Sequence, residues 1–360
     1  MKKLITLFGC LILCSACFNY IEINDLVLIN GIGIDYKDGK FHVSVEALYQ
    51  NKENSDSNFE WGQVSEVIAD SLSDAFNKLS LKLQKNPYYA HLKVLIISEE
   101  IAKNHFNDLI DYYLRNNDIR NIFSLVVSDD ISPKELLSSS SKYYPVVSER
   151  LRELLENNKY KNYIVYNLYF KDIASNYLTN NKDIALTMIG LENKNPIISK
   201  LLVFSNKSSV GYLDKNKATT LSIINNSKPN VLIKHECNDN KYVTINIYKS
   251  KNKFDIYKNS FNINAELSAE IIENNCNIDL ENDKDYKKLT KEFENIITSD
   301  YQNLINELQK LDSDLLGINK KYFNKYRSRD YDYFKNSKYN INSKIEINKK
   351  GLIFEVNSND

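Results

Sequence analysis

The sequence predicts a multidomain α+β (mixed α/β) protein, built from sheets with packed amphipathic helices. Three observations carry that expectation. The 360 residues exceed what a single hydrophobic core usually spans. A hydrophobic fraction of 42%, with 25 Tyr and 15 Phe, supplies a sizeable core and is too high for a disordered chain. Apolar residues recur at a period of two in some stretches and at helical spacing in others.

The first half alternates strand and helix. Leu26 to Asp35 reads as a strand, and Asp38-Gly39 is a hairpin turn signal. Phe41, Val43, Val45, Ala47 and Tyr49 alternate with mostly polar residues, the mark of a half-buried strand. Asn51 to Ser57 is polar and loop-like. Val64, Val67, Ile68, Leu72, Ala75, Phe76, Leu79 and Leu83 fit one face of a helix, which Pro87 ends. His91 to Ile97 is a strand. Ser98 can cap the next helix, with Glu99 and Glu100 in its first turn and an apolar face from Ile101 to Leu114. Ile122 to Val127 is a strand, and Ser132-Pro133 opens a further helical stretch.

The character changes near Asn180-Asn181. Ile184 to Leu191 and Ile197 to Phe204 read as strands, with Gly211 and Asp214 in later turns. Val243, Ile245 and Ile247, then Phe261, Ile263, Ala265, Leu267, Ala269 and Ile271, alternate as in antiparallel sheet. A long helix runs from about Asp283 to Leu311, and its apolar face is expected to pack on its own sheet. Tyr339, Ile341, Ile345 and Ile347 mark a final strand. The expected division is residues 1–16 as a lipoprotein signal peptide, 17–185 as an N-terminal α/β domain and 186–355 as a C-terminal α+β domain. The last has room for a small middle domain and a helix-plus-sheet domain.

The N-terminus has the layout of an export signal. Lys2 and Lys3 form a positive region, an apolar run follows from Leu4 to Leu13, and Ser15-Ala16-Cys17 closes it. The run is far shorter than the ~20 residues of a spanning helix. Two small residues before a cysteine match the end of a bacterial lipobox, although Cys14 stands where that pattern prefers Leu. Cys17 is therefore the expected lipidation site, carrying S-diacylglycerol and an N-terminal acyl group. A thiolate is the nucleophile that such a thioether needs, and two acyl signals anchor stably where one does not. Cleavage there removes Lys2 and Lys3, leaving 45 basic against 47 acidic residues. A body so nearly neutral has no strong pull toward anionic lipid, so the anchor is expected to be covalent. Cys237 and Cys276 then remain, either paired outside the cell or as buried free thiols, the plainer reading.

Balanced charge, with 47 basic and 47 acidic residues, argues against a nucleic-acid partner. The sequence carries no convincing catalytic, metal or cofactor motif. Gly31-x-Gly33 lacks the third glycine of a dinucleotide loop, since Tyr36 occupies its place, and reads as strand or bulge positions. Of the four histidines, His42, His91, His105 and His235, none is paired at metal spacing. His91 beside an apolar strand reads as a hydrogen-bonded structural histidine, and His235-Glu236-Cys237 as part of a loop. The expectation is a protein that is not an enzyme.

A set of blocks in order resembles the Ger(x)C spore germination lipoproteins. Tyr20-Ile21-Glu22-Ile23-Asn24-Asp25-Leu26 is similar to their mature start, with Phe18 where the family usually has Trp and Asn19 where it has an acidic or small residue. Gly31-Ile32-Gly33-Ile34-Asp35 continues it. His91 through Glu100, extended by Tyr113-Leu114-Arg115 and Asp118-Ile119-Arg120, resembles a second block, and Gly211-Tyr212-Leu213-Asp214 a third. Asp314-Leu315-Leu316-Gly317 and Lys349-Lys350-Gly351-Leu352 resemble the C-terminal blocks. Asn319 and the two lysines depart from the family, which more often has a second glycine and two arginines there.

The resemblance implies a non-catalytic, lipid-anchored subunit of a nutrient germinant receptor, needed for assembly or signalling in spore germination. It implies A-type and B-type membrane subunits as partners and a place on the extracytoplasmic face of the spore inner membrane. An alternative is an envelope solute-binding lipoprotein that captures a small molecule between its domains. A third reading, an envelope hydrolase, needs a convergent cleft that no motif here identifies.

Overall fold

The computed structural model describes residues 25–50, 60–116, 118–141, 144–156, 169–179, 182–225, 229–238 and 240–349. The fold is mixed α+β, built on a nine-stranded and a four-stranded sheet. The first sheet begins with the hairpin of β1 (Leu26–Lys37) and β2 (Lys40–Gln50). Asp38 and Gly39 both take positive φ, 51° and 75°, the twist that a two-residue hairpin turn requires. β3 (Glu60–Ala69) pairs antiparallel with β2 and forms one edge. On the other side of β1, β5 (Val94–Ile97), β6 (Ser124–Ser128) and β7 (Ala185–Glu192) follow in parallel, and short β4 (Asn86–Tyr88) also pairs with β1. β8 (Asn195–Ser205) and β9 (Ser208–Leu213) continue the sheet antiparallel.

The central strands are buried on both faces, as parallel strands are. Leu95, Ile97, Leu125 and Val127 face one core, which is covered by α1 (Leu72–Leu83), α2 (Glu99–Asn104), α3 (Phe106–Arg115) and α6 (Phe170–Thr179). Val94, Ile96 and Val126 face the opposite way, toward α4 (Pro133–Leu137) and α5 (Val147–Glu156). Gly31 and Gly33 lie on that second side of β1. A Cβ on Gly33 would stand 2.5 Å from Ser44 Oγ and 3.0 Å from Pro133 Cβ, and one on Gly31 would stand 2.8 Å from a Leu137 methyl. The two glycines are strand positions that let α4 lie directly on the sheet, and the β1–β2 register shifts between Ile29 and Gly31.

The second sheet is β10 (Val231–Asn238), β11 (Lys241–Ile256), β12 (Ser260–Asn274) and β13 (Lys338–Lys349). The first three are antiparallel, whereas β13 runs parallel to β12. A parallel partner requires a crossover, and α8 (Asp283–Lys310), α9 (Ile318–Tyr326) and α10 (Tyr333–Asn336) supply it. On α8, Leu289, Phe293, Ile297, Tyr301, Leu304, Ile305 and Leu308 are buried at helical spacing. They meet Val243, Ile245, Ile247, Phe261, Ile263 and Ile345 of the sheet in one core. The long helix thus packs on its own sheet, as expected.

The two cores share a strand. Leu202 and Phe204 of β8 enter the first core, and Leu201 and Val203, on its opposite face, enter the second. α7 (Lys215–Asn225) buries Leu221 and Ile223 on that second side.

Three features differ from what the sequence predicts. Val64, Val67 and Ile68 fit a helical spacing but lie in β3, where pairing with β2 runs from Glu60 to Ala69. The helix begins only after Ser71, whose hydroxyl accepts the Asp74 N–H at 3.2 Å. Gly211 is in β9 rather than a turn. Cys237 and Cys276 form a disulfide across a Cα separation of 6.3 Å, and both are only partly buried.

Candidate functional site

Cys17, the expected lipidation site, lies outside the described residues, as do Tyr20 to Asn24 of the first block and the Gly351-Leu352 end of the last. Three of the remaining blocks, His91–Glu100, Gly211–Asp214 and Asp314–Gly317, contribute to two joints.

The first joint stands at the carboxyl edge of the parallel strands. β5 ends at Ile97, and Ser98 caps α2 by accepting the Ile101 N–H at 3.3 Å. This places Glu99 at the sheet edge, beside Tyr212 on β9. Tyr212 donates its hydroxyl proton to Glu99, Lys103 one turn on pairs with the same carboxylate, and Lys103 Nζ is 3.4 Å from the Tyr212 oxygen. Lys200 Nζ stands 4.8 Å from the centroid of the Tyr212 ring and pairs with Asp129 at 2.8 Å, just beyond β6. Burial alone would raise the Glu99 carboxyl; hydrogen bonds from Lys103 and Tyr212 outweigh it, so the acid is held below its ordinary value. The Glu99 hydrogen bond in turn raises the Tyr212 phenol. The hydroxyl is thus held by a carboxylate and flanked by two ammonium groups in a partly exposed polar cluster. It ties the second block to the third across the sheet.

The second joint holds the two cores together. Asp183, just before β7, accepts the Asp314 N–H at 2.7 Å and the Asn206 N–H at 3.2 Å, and its own N–H donates to the Asp314 carbonyl at 3.3 Å. The Asp314 carboxylate accepts the N–H groups of Ile318 (2.8 Å) and Asn319 (2.7 Å), capping α9. Ser313 Oγ donates to the Phe204 carbonyl at 2.7 Å. Asp314 is only 5% exposed, and burial pushes its carboxyl up to about 6 against the pull of its two backbone donors. Burial also raises Asp183 and lowers Lys182 and Lys321. Leu315 and Leu316 are buried in the second core, and Gly317 takes φ 67°, where a side chain would be strained. Each position of Asp314-Leu315-Leu316-Gly317 thus has a structural duty. The cavity at this contact, lined by Asn176, Tyr177, Lys182, Asp183, Ile184, Phe204 and Lys207, measures about 10 Å³. That is room for a single water and not for a solute.

A buried carboxylate with no signal in the sequence lies on the α5 side of the first sheet, opposite the first core. Glu46, 1% exposed, accepts the N–H groups of Val147 (2.7 Å) and Ser148 (2.9 Å) and the Ser148 hydroxyl, fixing the start of α5 to β2. Gly62 leaves room for it: a Cβ there would stand 2.6 Å from a Glu46 oxygen. Burial raises this carboxyl despite the three donors. An acid within a strand gives no signal of its own, because its partners lie a hundred residues away.

The histidines stand apart. His42 is 3.8 Å from Glu66, and His105 is 3.4 Å from Asp108. His91 is exposed, with its ring 5.9 Å from Tyr88, rather than a hydrogen-bonded core residue. His235 lies in β10 rather than a loop, and its Nε2 pairs with Glu292 at 3.0 Å. Among the described residues, no group of His, Cys, Asp and Glu is arranged to hold a metal ion, and no helix is long and apolar enough to cross a membrane.

Fold and joints define a two-core α+β body whose distant sequence blocks act as structural welds. Residues 19–191 match the family described as spore germination protein N-terminal domain, and residues 199–351 match spore germination B3/GerAC like, C-terminal. The chain belongs to this GerAC-like family of spore germination proteins. The spore germination protein GerQC of Bacillus cereus is 22% identical over 277 residues, 72% of this chain and 75% of that one. The putative spore germination protein YfkR of Bacillus subtilis (strain 168) is 21% identical over 339 residues, 88% of each chain. The crystal structure of the GerBC protein aligns with a TM-score of 0.56 at 15% identity, covering 88% of this chain and 97% of that one, so the fold is shared.

Proposed function

We propose that this chain is the C-type subunit of a nutrient germinant receptor, non-catalytic and held by Cys17 on the extracytoplasmic face of the spore inner membrane. In this reading residues 1–16 are a signal peptide, and the body from residue 17 onward docks on A-type and B-type membrane subunits. The observation that carries it is the match of both family domains, in order, over residues 19–191 and 199–351. The relatives' names place them in spore germination. A lipid anchor confines the body to two dimensions, which raises the effective concentration for weak contacts with membrane partners. The partly exposed Glu99–Lys103–Tyr212–Lys200 cluster offers one polar contact surface for them.

The test is a pull-down of the tagged protein from gently solubilised spore membranes, with mass spectrometry of what comes with it. Recovery of A-type and B-type subunits supports the reading, and recovery of the chain alone counts against it. Cys17→Ala is expected to abolish palmitate incorporation and to impair germination while leaving the melting temperature of the body unchanged. Wild-type germination in that variant would remove the anchor from the mechanism.

A further inference from the structure

The first core carries a groove that neither joint uses. It lies between α1 and α3 and measures about 910 Å³, near the upper end for small-molecule sites. Phe41, Phe76, Tyr89 and Tyr112 form its aromatic lining. Phe76 and Tyr112 are stacked at 5.1 Å, with Tyr89 set edgewise to Phe76 at 5.7 Å. Buried or half-buried, these rings form a rigid floor in an otherwise open groove.

The wall is mostly acidic. Asp108, Asp111 and Asp118 line it, and Arg115 is the one basic residue among them. Arg115 is already engaged: its Nε donates to both oxygens of Asp111, at 2.8 and 2.9 Å. The guanidinium is thus neutralised within its own helix and Asp108 faces His105, which leaves Asp118 to set the polarity. Asp108 stands 3.4 Å from His105. Asp118 lies close enough to the floor that its charge adds to the upward shift that burial gives Tyr89 and Tyr112, so both phenols stay neutral. Aromatic rings bordered by an acid that no cation pairs attract positive charge that has an apolar coat. A hydrated metal ion would gain nothing from the rings, and an anion would meet the acids.

We propose that the groove between α1 and α3 binds a small organic cation, a quaternary or alkyl ammonium group, with the rings of Tyr112 and Tyr89 beneath the charge and Asp118 beside it. The site lies wholly on one side of the first sheet and is independent of the receptor reading.

The test is calorimetric titration of the mature chain with choline at constant ionic strength, against its neutral isostere 3,3-dimethylbutan-1-ol. Saturable choline binding is expected, with the isostere weaker by about tenfold, the size of a desolvated cation–ring contact. Asp118→Asn, at an exposed position, should weaken choline several-fold and leave the isostere unchanged. Tyr112→Phe should keep the affinity within about twofold and Tyr112→Leu lose about tenfold, since the ring and not the hydroxyl carries the attraction. Should Tyr112→Leu fail to fold, the Asp118 variant and the isostere decide the matter. Equal binding of choline and isostere would make the groove merely apolar and overturn the proposal. So would failure of choline to saturate, or indifference of its affinity to Asp118→Asn.

Discussion

Asp314 joins the cap of α9 to the contact between the cores, and its titration should be visible in the stability of the whole body. Its carboxyl is raised from 3.8 to about 6, first by burial, with Asp183 nearby adding to the shift. An acid with a raised folded value binds its proton more tightly in the native state than in the unfolded chain. Its contribution to stability is therefore fully present below pH 4 and is lost as pH rises through 6. Roughly two units at 1.36 kcal/mol each give about 3 kcal/mol lost between pH 4 and pH 7. Asp183, Glu46 and Asp300 are raised as well and add slope of the same sign, so the test compares wild type with Asp314→Asn. The asparagine oxygen can accept one of the two N–H groups now bound, at a pH-independent cost of about 1–3 kcal/mol for the unmet donor. Urea unfolding at pH 4, 5, 6 and 7 should show the wild type losing about 3 kcal/mol relative to the variant toward neutral pH, so that the two curves meet or cross. Parallel curves would refute the assignment of the raised carboxyl to Asp314.

Two further outcomes follow from the same structure. The Cys237–Cys276 bridge spans a sequence separation of 39 residues, so the paired Cys237→Ser, Cys276→Ser variant should lose about 4 kcal/mol in urea unfolding by the chain-entropy account; mass spectrometry under non-reducing conditions tests the bridge itself. Glu46→Ala leaves the Val147 and Ser148 N–H groups unmet at the buried start of α5, and a melting curve should show a loss of about 2–4 kcal/mol.

Local pattern made much of this protein legible in advance. The period of two in β2 and β12, the Asp38-Gly39 turn, the caps at Ser98 and Ser132-Pro133, and the apolar stripe of α8 are all encoded within a few residues of where they act. β3 was hidden for the opposite reason. Val64, Val67 and Ile68 satisfy a helical spacing, and only hydrogen bonding to β2 makes them a strand. The short α5, α6 and α7 lie outside the expected elements too; α5 carries a legible stripe, Val147, Leu151 and Leu155 at helical spacing, whereas α7 has no clear stripe and takes its order from the core it covers.

The sequence by itself determined the α+β class, the placing of the long helix on its sheet, and the family to which the chain belongs. Each is written in short-range periodicity or in ordered blocks. Only the tertiary structure decided what those blocks do. Asp183 meets Asp314 from 131 positions away, Tyr212 meets Glu99 from 113, and Glu46 meets Ser148 from 102. A contact at such separation leaves no local pattern, because chain closure and the packing of both cores fix it. The two-sided β8, the disulfide and the aromatic groove of α1 and α3 belong to the same class, since each exists only once the elements have docked.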